Sequence, residues 1–223
     1  MQFSVQSADV ETPGASYARI YVKWDADTGL IMPYMRIEDG SVLGPYQALP
    51  LILKPIGVIY TLTDDGVVGN TAISTSVAGT GEGGRELPAD FLVDGRVIRV
   101  KAGGYYSTAG ADTDIIMRFA SSATVLADTG TITLPVSQAD QWWAVEAELV
   151  CRAAGASGTH VAHGVLMYKS DAGSETLIAP LVNTSGITLD TTGTQTIDIS
   201  VEWTTADASN VIRCQWMTIE VIR

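Results

Sequence analysis

From Trp142 to Arg152 apolar and polar side chains alternate with a period of two. Trp143, Val145, Ala147, Leu149 and Cys151 fall on one side; Glu146, Glu148 and Arg152 fall on the other. Successive side chains of a strand point to opposite faces, so the pattern predicts a strand with one buried face. Residues 196–203 repeat it, with Ile197, Ile199, Val201 and Trp203 opposite Asp198, Ser200 and Glu202. Asp114 to Phe119 sets Ile115, Met117 and Phe119 on one face, Arg96 to Ala102 carries Ile98 and Val100, and Thr159 to Tyr168 follows the long central run. No apolar stripe of helical period lasts three turns, and Gly- and Thr-rich turns separate the runs. Short strands at regular spacing predict an all-β, antiparallel sandwich over residues 58–223.

The first part of the chain reads differently. Residues 1–16 are polar and predict an arm. Residues 17–43 predict a small β-hairpin element: Tyr17, Arg19, Tyr21 and Lys23 alternate with Ala18, Ile20, Val22 and Trp24, and Leu30 to Ile37 returns. Asp25-Ala-Asp-Thr-Gly29 suits the turn between them, because Asp caps its own backbone and Gly accepts positive φ. Glu38-Asp39-Gly40-Ser41 is a second tight turn. Pro45, Pro50 and Pro55 cannot serve a central strand, so residues 44–57 predict a linker. Within the main domain, Gly79 to Gly84 predicts a flexible loop and Leu87-Pro-Ala-Asp90 a corner.

The last run, Val211 to Ile222, is apolar on both sides. Val211, Met217, Ile219 and Val221 share one parity; Cys214, Trp216 and Ile222 share the other. A strand apolar on both faces is covered on both. One sandwich supplies only one inner face per sheet. Val211, Met217, Ile219 and Val221 are therefore expected to form an interface between identical subunits, with closed symmetry the usual solution. The alternative cover is the apolar run Leu49-Pro-Leu-Ile-Leu53 of the linker.

Charge narrows the function. The formal net charge is −12, from 25 acidic against 13 basic side chains. Such a surface repels phosphate backbones and anionic lipid, so neither nucleic acid nor membrane is an expected partner. Charged residues make up only 17% while apolar residues make up 46%, which points to apolar surface shared with neighbouring subunits. Met1-Gln-Phe-Ser-Val-Gln lacks the cationic start and apolar core of a secretory leader, so synthesis and assembly in a cytoplasm are expected. Cys151 and Cys214 are too few for a disulfide framework and read as reduced core thiols.

Candidate chemistry is sparse. His160 and His163 are three apart in a predicted strand and so point to opposite faces, which argues against joint metal ligation. Gly79 to Gly84 lacks the helix that a phosphate loop needs after it, since Arg85-Glu-Leu-Pro88 follows. Asp25, Asp27 and Gly29 depart from a calcium loop, and Asp64–Asp65 and Asp112–Asp114 read as solvated loop charges. Ser157 lacks the second glycine of a nucleophile elbow. Cys151 has no adjacent electropositive partner. No cofactor or metal site is expected, and no catalytic residue stands out. Trp142 is the one tryptophan expected to be exposed, with Trp143 and Trp216 in the core; an exposed ring could serve carbohydrate recognition.

Several stretches carry a resemblance. Tyr17-Ala-Arg-Ile-Tyr-Val-Lys-Trp-Asp25 and Tyr34-Met-Arg-Ile-Glu-Asp-Gly-Ser41 resemble the short N-terminal hairpin of tailed-bacteriophage virion proteins. Gly57-Val-Ile-Tyr-Thr-Leu-Thr63, Asn70-Thr-Ala72, Leu87-Pro-Ala-Asp-Phe-Leu-Val-Asp-Gly-Arg96 and Gly103-Gly-Tyr-Tyr-Ser107 resemble jelly-roll modules of phage head fibres, decoration proteins and tail fibres. So do Val145 to Thr159 and Glu202 to Ile212 with the final strand. The resemblance implies a jelly roll related in shape to tumour necrosis factor-like domains, and a homotrimer. It implies a non-enzymatic virion structural protein on the capsid exterior, of the cement, decoration or head-fibre kind, whose partner is the major capsid protein or another virion protein. Tyr17, Arg19, Tyr21, Tyr34 and Arg36 on the hairpin are then the expected capsid contacts. The second expectation is a tail-fibre or receptor-binding module for a host surface glycan.

Overall fold

The computed structural model describes residues 57–222 apart from 80, 84 and 171–174, with backbone alone at 81 and 83, and, among residues 1–56, the backbone of short strands. The chain divides into two compact units, Met1–Lys54 and Pro55–Arg223. In the first, β1 (Val5–Gln6), β2 (Arg19–Asp25), β3 (Leu30–Arg36) and β4 (Val42–Leu43) form a 4-stranded sheet in that order. β2 and β3 are the arms of the expected hairpin, with Asp25 opposite Leu30, Tyr21 opposite Tyr34 and Arg19 opposite Arg36. The stretch read as an arm contributes β1, which runs parallel to β2. Tyr17 and residues 44–56, including Leu49 to Leu53, lie outside the described residues.

The second unit is all-β, and no helix occurs among its described residues. It comprises β5 (Gly57–Leu62), β6 (Gly66–Gly69), β7 (Thr75–Ser76), β8 (Gly81–Gly83), β9 (Glu86–Leu87), β10 (Val97–Ser107), β11 (Asp114–Ser121) and β12 (Thr124–Asp128). β13 (Ile132–Thr133), β14 (Gln141–Ala153), β15 (Gly158–Lys169), β16 (Thr176–Val182), β17 (Ile187–Leu189), β18 (Gln195–Trp203) and β19 (Val211–Val221) complete it. Hydrogen-bonded neighbours run β7-β18-β11-β12-β16-β15-β14-β10-β19-β5-β8. The pairings in this path are antiparallel, and β12 meets β16 only at Asp128 and Val182. The glycine stretch read as a flexible loop instead contains β8, whose Gly83 pairs with Tyr60.

Side chains from both halves of this path meet in one core, which makes the unit a sandwich. Ile115, Met117, Phe119, Ile197, Ile199, Val201 and Trp203 come from β11 and β18; Ile98, Val100, Trp143, Val145, Ala147 and Leu149 come from β10 and β14. Each fully buried aliphatic or aromatic side chain of this kind contributes roughly 1.5–3 kcal/mol. Cys151 and Cys214 are free and buried, as expected.

The last strand departs from its expected role. Met217 and Ile219 are 0% exposed and Val221 1%, all within this chain's own core, and Val211 is half-buried. Met217, Ile219 and Val221 therefore present no surface to another subunit. The reason is a β-bulge: Gly103 of β10 pairs with Trp216 and Gly104 with Cys214, so Gln215 has no partner. One extra residue inverts the alternation beyond it. Ile212 and Cys214 face inward before the bulge; Met217, Ile219 and Val221 face inward after it. The apparent two-sided strand is one inner face, broken once. Trp216, read as core, is turned outward and is 42% exposed.

Two glycines make room for the bulge. A Cβ on Gly104 would lie 2.1 Å from the carbonyl oxygen of Arg213, and one on Gly103 would lie 2.6 Å from Cζ2 of Trp216. The Arg213 carbonyl instead accepts a hydrogen bond of 3.1 Å from the indole Nε1 of buried Trp143. The thiol of Cys214 donates to the Trp216 carbonyl at 3.3 Å. Burial pushes that thiol up to about 12.

Candidate functional site

The outer face of β16-β15-β14-β10-β19 gathers the chemistry that the core leaves over. On β10, Arg99, Lys101, Gly103 and Tyr105 alternate outward, because Ile98, Val100, Ala102 and Tyr106 face the core. Register then fixes the neighbours. Tyr105 pairs with Trp142 of β14 and with Arg213 of β19. Gly103 pairs with Ala144 on one side and Trp216 on the other. Lys169 of β15 directly follows Tyr168, the partner of Trp143, and so lies beside Trp142.

Trp142, Tyr105 and Trp216 are 37%, 39% and 42% exposed. They form an aromatic cluster drawn from adjacent strands. Trp216 is laid down across Gly103, whose missing side chain leaves space for one face of the indole. Gly103 and Ala144 face outward yet are buried, so this part of the sheet is covered by the rings. Among the described residues, Lys101, Lys169 and Arg213 have no carboxylate partner, whereas Arg85, Arg99 and Arg118 are each ion-paired.

Next to the cluster lies a charged band. Arg99 bridges Glu148 at 2.6 Å and Glu146 at 3.2 Å, and His163 Nε2 stands 3.7 Å from Glu148. Glu146, Glu148, His163, Gly164 and Val165 line a shallow depression of about 260 Å³. An acid/base pair of carboxylates works through contrasting environments. Here one guanidinium holds both.

Beyond the band the same face turns aliphatic. Met167 pairs with Ile178, Val165 with Pro180 and His163 with Val182. Ile178 is 68% and Val182 52% exposed. Pro180, which cannot donate to a ladder, is tolerated because β16 meets its other neighbour at one position only.

The outer face of β11 and β18 is polar. Ser76 donates to Asp198 at 2.9 Å, Arg85 donates to Ser76 at 2.8 Å, and Arg85 stands 2.8 Å from the second Asp198 oxygen. Burial raises the Asp198 carboxyl above its ordinary value, opposed by the bonds from Ser76 and Arg85. Ser76, Asp198 and Arg118, itself 2.6 Å from Glu202, border a depression of about 370 Å³. The cluster is closed on itself: the cation and the hydroxyl are both spent on the carboxylate.

The remaining sequence candidates stay apart. His160 is buried, with Nδ1 3.2 Å from the Gly158 carbonyl, while His163 is exposed on the opposite face. Burial lowers the His160 pKa. Ser157 sits in the exposed turn between β14 and β15, and burial raises the Cys151 thiol. Among the described residues no group of three or more His, Cys, Asp or Glu is arranged to hold a metal ion. Sequence reasoning found Trp142 and missed Tyr105, Trp216 and Arg213. The signal was Gly103-Gly104 in the middle of a strand, since paired glycines there mark a bulge or a close approach. Comparison with family models, curated proteins and solved structures finds no match.

Proposed function

We propose that this chain is a non-enzymatic structural protein of a virion exterior, a capsid decoration or head-fibre protein that assembles as a homotrimer. The observation that carries the reading is strand order. Taken along the chain, β5, β7, β10, β11, β12, β14, β18 and β19 pair as β5-β19-β10-β14 and β7-β18-β11-β12. That order supports the jelly-roll reading, with β15, β16 and β17 inserted before β18. Jelly rolls serve viral capsids and lectins, where the fold supplies a rigid body and its surfaces supply the contacts. The separate N-terminal unit supports a division of labour, with the strands bearing Arg19, Tyr21, Tyr34 and Arg36 as the attachment element for the major capsid protein.

In this reading copies associate through the aliphatic strip of Met167, Val165, Ile178, Pro180 and Val182. It replaces the last strand as the intersubunit surface, because Ile178, Pro180 and Val182 are exposed and pair with half-buried Met167, Val165 and their neighbours on β15. Sedimentation equilibrium tests it. The intact protein is expected at three times the chain mass and Ile178→Asp at the chain mass, with its β-type circular dichroism retained. A monomeric parent, or a trimeric Ile178→Asp, would overturn the assembly. In particles, many copies on the head support decoration; a few copies at the tail support the second reading. That reading, a receptor-binding module for a host glycan, is favoured by the exposed cluster of Trp142, Tyr105 and Trp216.

A further inference from the structure

We propose that Trp142, Tyr105 and Trp216 form a binding platform for an acidic oligosaccharide, with Arg213 and Lys169 holding sugar carboxylates at its two ends. The inference rests on the second reading above and names its ligand class.

The platform is built rather than incidental. A single unpartnered residue, Gln215, turns Trp216 out of the core. Gly103 lets the indole lie against the sheet, because a Cβ there would meet Cζ2 at 2.6 Å and Cε2 at 2.8 Å. The ring thereby rests against the backbone at Gly103 while Trp216 stays 42% exposed. Bulges recur where a side chain has to be re-aimed for function. Tyr105 and Trp142, paired across β10 and β14, continue the aromatic surface. The C–H face of a pyranose is apolar and its hydroxyls radiate at the edge, which suits stacking on a fixed ring with polar groups around it.

The charge selects the sugar. In a chain of net charge −12, Lys101, Lys169 and Arg213 stand beside these rings without a carboxylate partner among the described residues. Arg213 is opposite Tyr105, and Lys169 is beside Trp142. Glu146 and Glu148, on the same face, are bound to Arg99. An Arg guanidinium receives a carboxylate through two parallel hydrogen bonds, and a Lys ammonium receives it as a point charge. From β15 to β19 the row crosses strands spaced about 4.8 Å apart, so Lys169 and Arg213 are separated by roughly 14 Å of sheet. That length accommodates a short chain of uronate or sialate units rather than a single ring.

The occupant is distinguished from a second copy of the chain by place and by polarity. The aliphatic strip is uncharged, whereas the aromatic cluster is flanked by Lys169 and Arg213, which have no carboxylate partner among the described residues. It is distinguished from a nucleic acid by the field of the whole molecule, which repels a continuous phosphate backbone.

The test titrates the intact protein with an alginate oligosaccharide, an oligosialate, a neutral dextran oligosaccharide and a single-stranded oligonucleotide, read by tryptophan fluorescence and calorimetry. Saturable binding of alginate or oligosialate in preference to dextran is expected. Trp216→Ala and Trp142→Ala should each weaken it roughly tenfold. Arg213→Gln should narrow the preference for the acidic sugar over dextran by roughly tenfold while leaving melting nearly unchanged. The Ile178→Asp variant keeps the platform, so loss of the trimer and loss of sugar binding are read separately. No saturable binding of either acidic sugar, equal binding of dextran, binding of the oligonucleotide alone, or unaltered binding in the Trp142→Ala/Trp216→Ala double variant would each overturn the proposal.

Discussion

β14 and β19 flank the same strand, β10, and teach opposite lessons. Along β14 the alternation from Trp143 to Cys151 runs unbroken, and every apolar residue of that parity is in the core. Along β19 the alternation is inverted once, at Gln215, and the apolar residues on both sides of that point turn to the same core. The two strands bury comparable side chains against the same neighbours. What separates them is one residue in the ladder and the two glycines opposite it. A bulge costs a local hydrogen bond, and here the Arg213 carbonyl freed by it is satisfied by the Trp143 indole. The return is an outward Trp216 on the same face as the outward Trp142, across β10 from it. The strand that broke the simple pattern is thus the one that completes the candidate site.

The contrast can be broken most severely at Ile219. Because it lies in the core and not between subunits, Ile219→Asp should bury an unpaired carboxylate and cost about 4–5 kcal/mol, enough to leave the chain unfolded or insoluble instead of monomeric. A folded, soluble monomer would restore the interface role. Gly104→Ala comes next. With a Cβ 2.1 Å from the Arg213 carbonyl the backbone has to move, for an expected loss of about 3 kcal/mol in denaturant unfolding at constant slope. Gly103→Ala displaces the Trp216 ring and presses on the Trp143 carbonyl oxygen at 2.9 Å, and should cost about 2 kcal/mol while raising the exposure of Trp216 to collisional quenchers. The smallest effect reads the end of β14, where Cys151 pairs with His160. Burial lowers the folded pKa of His160 below its ordinary 6.5, so the unfolded chain takes up the proton first. Its contribution to stability is complete above pH 6.5 and is lost as the pH falls toward the folded value. Melting followed from pH 8 to 5 should show a decline that is shallower in His160→Leu.

Much of the fold was legible where one face is wet and the other dry. The strands holding Trp143 to Cys151, Ile197 to Trp203 and Ile115 to Phe119 were assigned, with their inner faces, from alternation alone. Short strands such as β6, β7, β9, β13 and β17 were not legible, because two to four residues carry no period and are defined by their partners. β16 was hidden by Pro180, which reads against a strand unless its place at an edge is known. The candidate site was half legible. Trp142 is outward in an unbroken alternation, whereas Trp216 depends on a phase change that no count of parity from Val211 can reveal. Only the pairing of Gly103-Gly104 with a tryptophan-containing strand could have suggested it.

Cysteine accessibility along β19 tests the phase change directly. Cys151 and Cys214 are both buried, so the native protein should be silent to a thiol reagent. Cysteines are then introduced singly, as Arg213→Cys, Trp216→Cys and Met217→Cys, and labelling is followed in native buffer. Rapid labelling at 213 and 216, with 217 protected until the protein is unfolded, is the expected result. Protection at 216 with rapid labelling at 217 would contradict it, restoring Trp216 to the core and Met217 to the surface.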